Sequence, residues 1–255
     1  MAEERLHMSD NQDTGSPTPL MVKVWDIWVR LFHWFLVAFI ALSYLTGEIG
    51  GLDFTVPGTD RFISNMNLHV LSGIVILGLV TFRIIWGFAG SITARFKNFL
   101  NGPSVILGYV KSVLKGPVAF FAGHNPAGGA VVMIILAALF VQACTGLFAQ
   151  DDSFFATKGP LTFLVADETS KEITVFHKNW WEYVVFTLAV LHIVANLFYW
   201  LIKKQDLILA MFTGRRRLPD GESDPKLTFA SAGLGLAIAV GVAILMWFIM
   251  NAEGF

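Results

Sequence analysis

Five runs of apolar residues, each about twenty long, alternate with polar segments along the chain, at 24–45, 68–88, 129–148, 180–202 and 229–250. A hydrocarbon core of about 30 Å takes roughly 20 residues of α-helix at about 1.5 Å each, so each run predicts one transmembrane helix. Lys23, Asp26 and Arg30 crowd the start of the first run, and seven of the eight tryptophans fall near the ends of runs, where the indole ring favours the headgroup level. Residues 1–22 have neither a signal-peptide core nor a helical pattern and read as a disordered tail. The segment PSVILGYVKSVLK at 103–115 spaces apolar and basic residues as a short helix would, either lying on the membrane surface or simply connecting two spans. Asn125 and Pro126 suit the N-cap and first position of the third span. The predicted fold class is all-α, an integral membrane helical bundle of four helices (23–218) followed by a linker and a fifth C-terminal span (219–255).

Composition agrees with this pattern: 55% of residues are hydrophobic and the mean hydropathy is +0.62, well above a soluble domain of this length. The net charge of −1 says little, but its distribution sets an orientation. The 88–125 segment carries Arg95, Lys97, Lys111 and Lys115 with no acid, and 203–226 adds Lys203, Lys204, Arg215, Arg216, Arg217 and Lys226. The 150–176 segment carries Asp151, Asp152, Asp167, Glu168 and Glu172 against Lys158 and Lys171. By the positive-inside rule the N-terminus lies in the cytoplasm, the acidic loop and C-terminus in the periplasm, and the membrane is a bacterial inner membrane. The acidic loop reads as a docking surface for a basic partner or as a solvated connection.

Three histidines fall in these spans, His33 on the first, His69 on the second and His192 on the fourth, and His177 stands just before the apolar part of the fourth, in its helix or in the preceding loop. Under this orientation His33 and His192 lie at one depth, roughly 13–15 Å from the inner surface, while His69 and His177 lie together near the outer starts of their helices. A lone intramembrane imidazole can bond an interhelical carbonyl. Four that pair by depth suit haem iron, which takes two imidazoles on opposite faces, and predict two stacked haems. The single cysteine, Cys144, and the absence of a C-x-x-C-H motif make any haem b-type. Arg30, one turn from His33, and Arg83, about 21 Å inward from His69, are candidates for haem propionates or for lipid phosphates. Gly73 and Gly146 offer small surfaces to a flat macrocycle or to a neighbouring helix. His124, in GHNPAGG, reads as a loop or quinone-site residue, with Asn196 and Lys203 as further proton-handling candidates.

The segments VRLFHWFLVAFIALSYLTGE, LHVLSGIVILGLVTFRIIWGFAG, GHNPAGGAVVMIILAALFVQACTGLFAQDD and LHIVANLFYWLIKKQDLILAMFTGRRR resemble the bacterial cytochrome b-561 family, which includes the b-type cytochrome subunit of Ni/Fe hydrogenases. The resemblance covers residues 23–218. It implies a four-helix bundle with two bis-histidine haems on His33, His69, His177 and His192, and electron exchange between membrane quinone and a redox protein outside. That partner would be a c-type cytochrome, a hydrogenase or another oxidoreductase subunit; no nucleic-acid partner is expected. His177 and His192 are fifteen residues apart, one more than is usual in the family, so a local bulge or another outer ligand is required. The fifth helix extends past the family core, and its Ala230, Gly233, Ala237 and Gly241 suggest packing on another membrane helix, in this chain, a second copy or a partner. Other readings are a proton-coupled transporter, a simple anchor subunit, or an enzyme oxidising a small species such as superoxide at the outer haem.

Overall fold

A computed structural model of the chain describes residues 20–116, 118–150, 157–219 and 221–254. Among these, five helical segments are long and apolar enough to cross a membrane: Ile27–Ile49, Asn65–Ala89, Pro126–Gly146, Asp167–Leu201 and Ala232–Met250. All but the fourth begin at a side-chain cap. Helix α1 (Ile27–Tyr44) is capped by Asp26, which accepts a hydrogen bond from the Val29 amide, and α2 (Asn65–Ala89) by a reciprocal Ser64–Asn67 capping box. A short amphipathic helix, α3 (Pro103–Lys115), occupies the segment predicted for it. Helix α4 (Pro126–Gly146) starts as expected, with the Asn125 side chain accepting from Gly128 and proline at the first position.

The fourth span corrects the sequence-based boundary. It begins at Asp167, thirteen residues before the predicted start, as the polar helix α5 (Asp167–Trp180), continues through a π-helical turn at Trp181–Val185 and ends as α6 (Phe186–Leu201). The acids that resemble a loop composition occupy its first turn, where Asp167 and Glu168 suit the positive end of the helix. The polar face is anchored: buried Ser170 donates to the Phe148 carbonyl, and the Thr174 hydroxyl accepts from the Gln150 amide. His177 therefore stands well inside a helix, not at its outer start. Of the acidic loop, Asp151 and Asp152 lie outside the described residues.

Helix α1 packs on α2, α2 on α4, and α4 on α5. Helix α6 has no buried residue of its own, and a short helix α7 (Leu207–Thr213) follows it at the end of the bundle. Helix α8 (Ala232–Met250) lies against α2, where Gly78 admits Met246 and Val242, and against Trp28, whose indole N–H donates to the Ala232 carbonyl over Gly235. The stripe singled out in the sequence lies partly on another face, which leaves its packing on a second copy or a partner open. A side chain at Gly233 or Gly241 would meet nothing, so these two positions point away from the chain, while Ala230 of the same stripe packs on the core.

At the Lys/Arg-rich end the segments are tied together. Part of the predicted tail is ordered: β1 (Met21–Lys23) pairs antiparallel with β4 (Arg215–Arg217), and Val22 is buried. The remaining strands, β2 (Phe54–Thr55) and β3 (Phe62–Ile63), form a small hairpin at the other end. Lys203 caps α3 by donating to the carbonyls of Val113 and Gly116, and the hydroxyls of Tyr109 and Tyr199 meet at 2.9 Å. That tie makes Lys203 a structural cation.

Candidate functional site

The four intramembrane histidines meet in two pairs. His33 on α1 faces His192 on α6 with ring centroids 6.4 Å apart; His69 on α2 faces His177 on α5 at 6.2 Å. A metal–imidazole bond of about 2 Å, with ring nitrogens about 1 Å from their centroid, places two imidazoles on opposite sides of one metal at about 6 Å between centroids. Both pairs meet that spacing. Each offers two nitrogens and no thiolate or carboxylate, the donor set of a six-coordinate haem iron. Cys144, on α4, is free, which leaves no cysteine pair for covalent attachment.

The fifteen-residue spacing on the fourth span is reconciled by the π-turn at Trp181–Val185, which lies between His177 and His192. Fifteen α-helical steps of about 100° leave the two side chains about 60° apart; a π-turn absorbs one residue, and the remaining fourteen leave about 40°. The bulge allowed for in the sequence is thus present. A second π-turn, Leu45–Ile49, extends α1 beside the other member of the outer pair.

The outer pair is closely supported. His69 Nδ1 lies 2.9 Å from the Ser43 carbonyl, to which it donates, leaving Nε2 free for a metal. The Thr145 hydroxyl donates to the carbonyl of Gln142 or Val141, so it accepts from His177 Nδ1 at 3.0 Å and fixes the same tautomer. The Gln142 amide sits 3.0 Å from His177 Nε2 and would yield that position to a metal. Two glycines make room for the rings: a Cβ at Gly47 would fall 2.7 Å from His69 Nδ1, and one at Gly146 3.1 Å from His177 Cε1. A cavity of about 200 Å³ lies here, lined in part by Gly47, Gly73, Glu48 and Lys178. Gly73 borders it with open space where a Cβ would point. Gly47, Ser43, Gln142 and Thr145 escape the sequence reading, although "YLTGE" and "VQACTG" carry them.

The inner pair is less supported. His33 Nδ1 is buried with no hydrogen-bond partner, its ring edge-on to Trp34. His192 Nε2 has the Asn196 amide at 3.3 Å, one turn along the same helix. Arg30 donates to the Phe212 carbonyl at 2.7 Å, while its Nε is buried without a partner. Arg83 is only 2% exposed, so it does not reach lipid phosphates, and both terminal nitrogens lack partners. Its guanidinium lies 5.1 Å from the Phe96 ring centroid. Asp26 is the nearby carboxylate, but its oxygens already accept from Val29 N and Trp86 Nε1. His124 packs between Trp25 and Phe99, and burial, reinforced by the positive charge of Arg83 and by His192, pushes its pKa down to about 3. It is therefore a neutral imidazole whose buried Nδ1 has no partner. These buried nitrogens at one end of the bundle would be satisfied by an anionic or polar group.

An α-helical membrane bundle carrying two facing imidazole pairs, with no thiol attachment site, defines a membrane cytochrome of the b type. The chain belongs to the prokaryotic cytochrome b561 family, which it matches over residues 24–214. It is 24% identical over 224 residues, 79% of this chain and 91% of the relative, to a probable Ni/Fe-hydrogenase B-type cytochrome subunit from Rhizobium leguminosarum bv. viciae. No solved structure matches the chain. It is accordingly a multi-pass membrane b-type cytochrome, a haem b protein of electron transfer.

Proposed function

We propose that the chain holds two haems b, one between His33 and His192 and one between His69 and His177, and carries electrons between membrane quinone and a redox protein at the outer face. The separation of the two imidazole pairs, 6.4 and 6.2 Å, carries this reading. When bound, each haem would supply a one-electron ferric/ferrous couple. The residues of the chain supply the rest: Arg30 and Arg83 offer unpaired donors to the inner propionates, Gly73 leaves the outer macrocycle a flat wall, and Gly47 and Gly146 let the outer rings stand close to the backbone. The loop-charge bias supports an inner-membrane protein with N-terminus inside and C-terminus outside. The name of the Rhizobium relative supports an oxidoreductase subunit as the outer partner, with a c-type cytochrome as the other class. The outward-pointing Gly233 and Gly241 of α8 leave room for a second copy.

The test is a haem count with ligand variants. The purified protein should contain two haems b per chain, all extractable by acid acetone. His33→Ala or His192→Ala should lower the count to one, and His69→Ala or His177→Ala should do the same with a spectrally different haem remaining. One haem in the unsubstituted protein, or a count unmoved by any of the four, refutes the assignment.

A further inference from the structure

The two pairs share an iron-ligand set and differ in everything around it. On the two-haem reading above, those differences act on the reduction potentials. At the outer pair both imidazoles donate, His69 to the Ser43 carbonyl and His177 to the Thr145 hydroxyl. A ring N–H held in this way makes the opposite nitrogen a more basic ligand, which favours ferric iron and lowers the potential. The charged side chains on this cavity, Glu48 and Lys178, are both exposed and of opposite sign, so they offset one another.

The inner end has the reverse bias. His33 Nδ1 donates to nothing. Two guanidiniums, Arg30 and Arg83, would offset the inner propionates, the one carboxylate beside them, Asp26, being already satisfied by Val29 and Trp86, whereas the cations and anions at the outer cavity are exposed to solvent. His124 adds no charge because it is neutral. Positive charge held away from water favours the state that has gained an electron, and its effect is strongest where solvent cannot screen it.

We propose that Thr145 and Arg83 tune the two haems in opposite directions, setting the outer haem at the lower potential and the inner haem at the higher. An electron placed on the outer haem then runs to the inner one. No bond forms or breaks: the outer iron passes from ferrous to ferric and the inner from ferric to ferrous. A one-electron donor outside refills the first, and two such electrons, with two protons from the medium, would reduce a quinone to quinol at the second. Neither residue is an iron ligand; both act through what they do to the ligand or the field.

Redox potentiometry with optical detection, on the full-length protein after its haem count is known, decides the matter. Two one-electron waves are expected, with His33→Ala removing the upper and His69→Ala the lower. Thr145→Val should raise the lower wave by up to about tenfold in equilibrium constant, about 59 mV for one electron, and leave the upper unmoved. Arg83→Gln should lower the upper wave by a similar amount. Arg83→Lys keeps the charge without the planar fork and should stay near the original potential. Loss of the lower wave in His33→Ala, or potentials unmoved by both Thr145→Val and Arg83→Gln, overturns the ordering. So does a fall in Arg83→Lys as large as that in Arg83→Gln. A count below two haems in the unsubstituted protein would instead overturn the reading on which the ordering rests.

Discussion

The outer and inner histidine pairs stand 6.2 and 6.4 Å apart, yet the buried polar atoms around the outer pair are mostly satisfied within the chain, Gln142 Oε1 excepted, and those around the inner pair are not. At the outer pair, the ring nitrogens of His69 and His177 are engaged by Ser43, Thr145 and Gln142, and glycines are set against both rings. At the inner pair the buried polar atoms of His33, Arg30, Arg83 and His124 wait for partners. A buried donor left unmade costs about 1–3 kcal/mol, more when charged. The outer site is therefore largely preformed, whereas the inner end gathers buried donors that an anionic group would satisfy.

The sharpest way to break this contrast is to close the outer socket. Gly47→Val should abolish haem binding at His69–His177, lowering the haem count from two to one, because even a single Cβ there meets the His69 ring at 2.7 Å. Gly73→Ala, whose Cβ meets nothing, should leave the haem-free fold intact and test only the room needed by the macrocycle. A Gly47→Val protein with both haems would show that the outer pair is not rigid.

Next in size is the inner end. Arg83→Leu removes an unpartnered buried charge while Asp26 keeps its two hydrogen bonds, so the haem-depleted protein should gain about 1–3 kcal/mol of stability. The haem-loaded protein should lose inner haem more readily. Melting of the two forms in detergent, with spectra before and after, measures both; a haem-depleted protein made less stable would mean that the contact of Arg83 with Phe96 outweighs the cost of burying its charge.

Deleting one residue from the π-turn, Tyr183, should convert it to regular α-helix with little effect, both haems remaining and the melting temperature falling by a few degrees. Inserting an alanine at the same place adds a further rotation and should cost one haem. Equal haem loss in both would show that the turn does more than absorb a residue.

The smallest effect is a pH slope at the inner end. The folded protein holds His124 neutral down to about pH 3, whereas an unfolded chain protonates it near its ordinary value of about 6.5. Between those values the unfolded state binds the extra proton, so stability rises with pH across the window and its full contribution is present above about 6.5. His124→Phe, which suits the stack between Trp25 and Phe99, should flatten the melting-temperature profile between pH 5 and 7. An unchanged slope would place the titrating group elsewhere.

Much of this architecture is legible in the amino-acid order because it depends on local pattern. The five spans follow from apolar run length, and the Asn125–Pro126 start from cap chemistry. The pairing of His33 with His192 and of His69 with His177 follows from depth along oppositely running helices. What is not legible depends on neighbours. The polar first turns of α5 read as loop until Ser170 and Thr174 find the end of α4. Gly47 and Thr145 gain meaning only when another helix brings an imidazole against them. Which face of α8 packs within the chain is not legible because Gly233, Gly235 and Gly241 put small residues on more than one face, and only the Trp28 indole selects Gly235.

The pairing of β1 with β4 has a consequence for biosynthesis. Met21–Lys23 leaves the ribosome first among the described elements, and its partner Arg215–Arg217 arrives only after all four histidine-bearing positions have been synthesised. Contacts this distant in sequence form late because a long loop must close before they give any return. The two-stranded clasp is thus a completion mark: it cannot form on a chain truncated within the fourth span, and it joins the N-terminal segment to the chain before the fifth helix has been made.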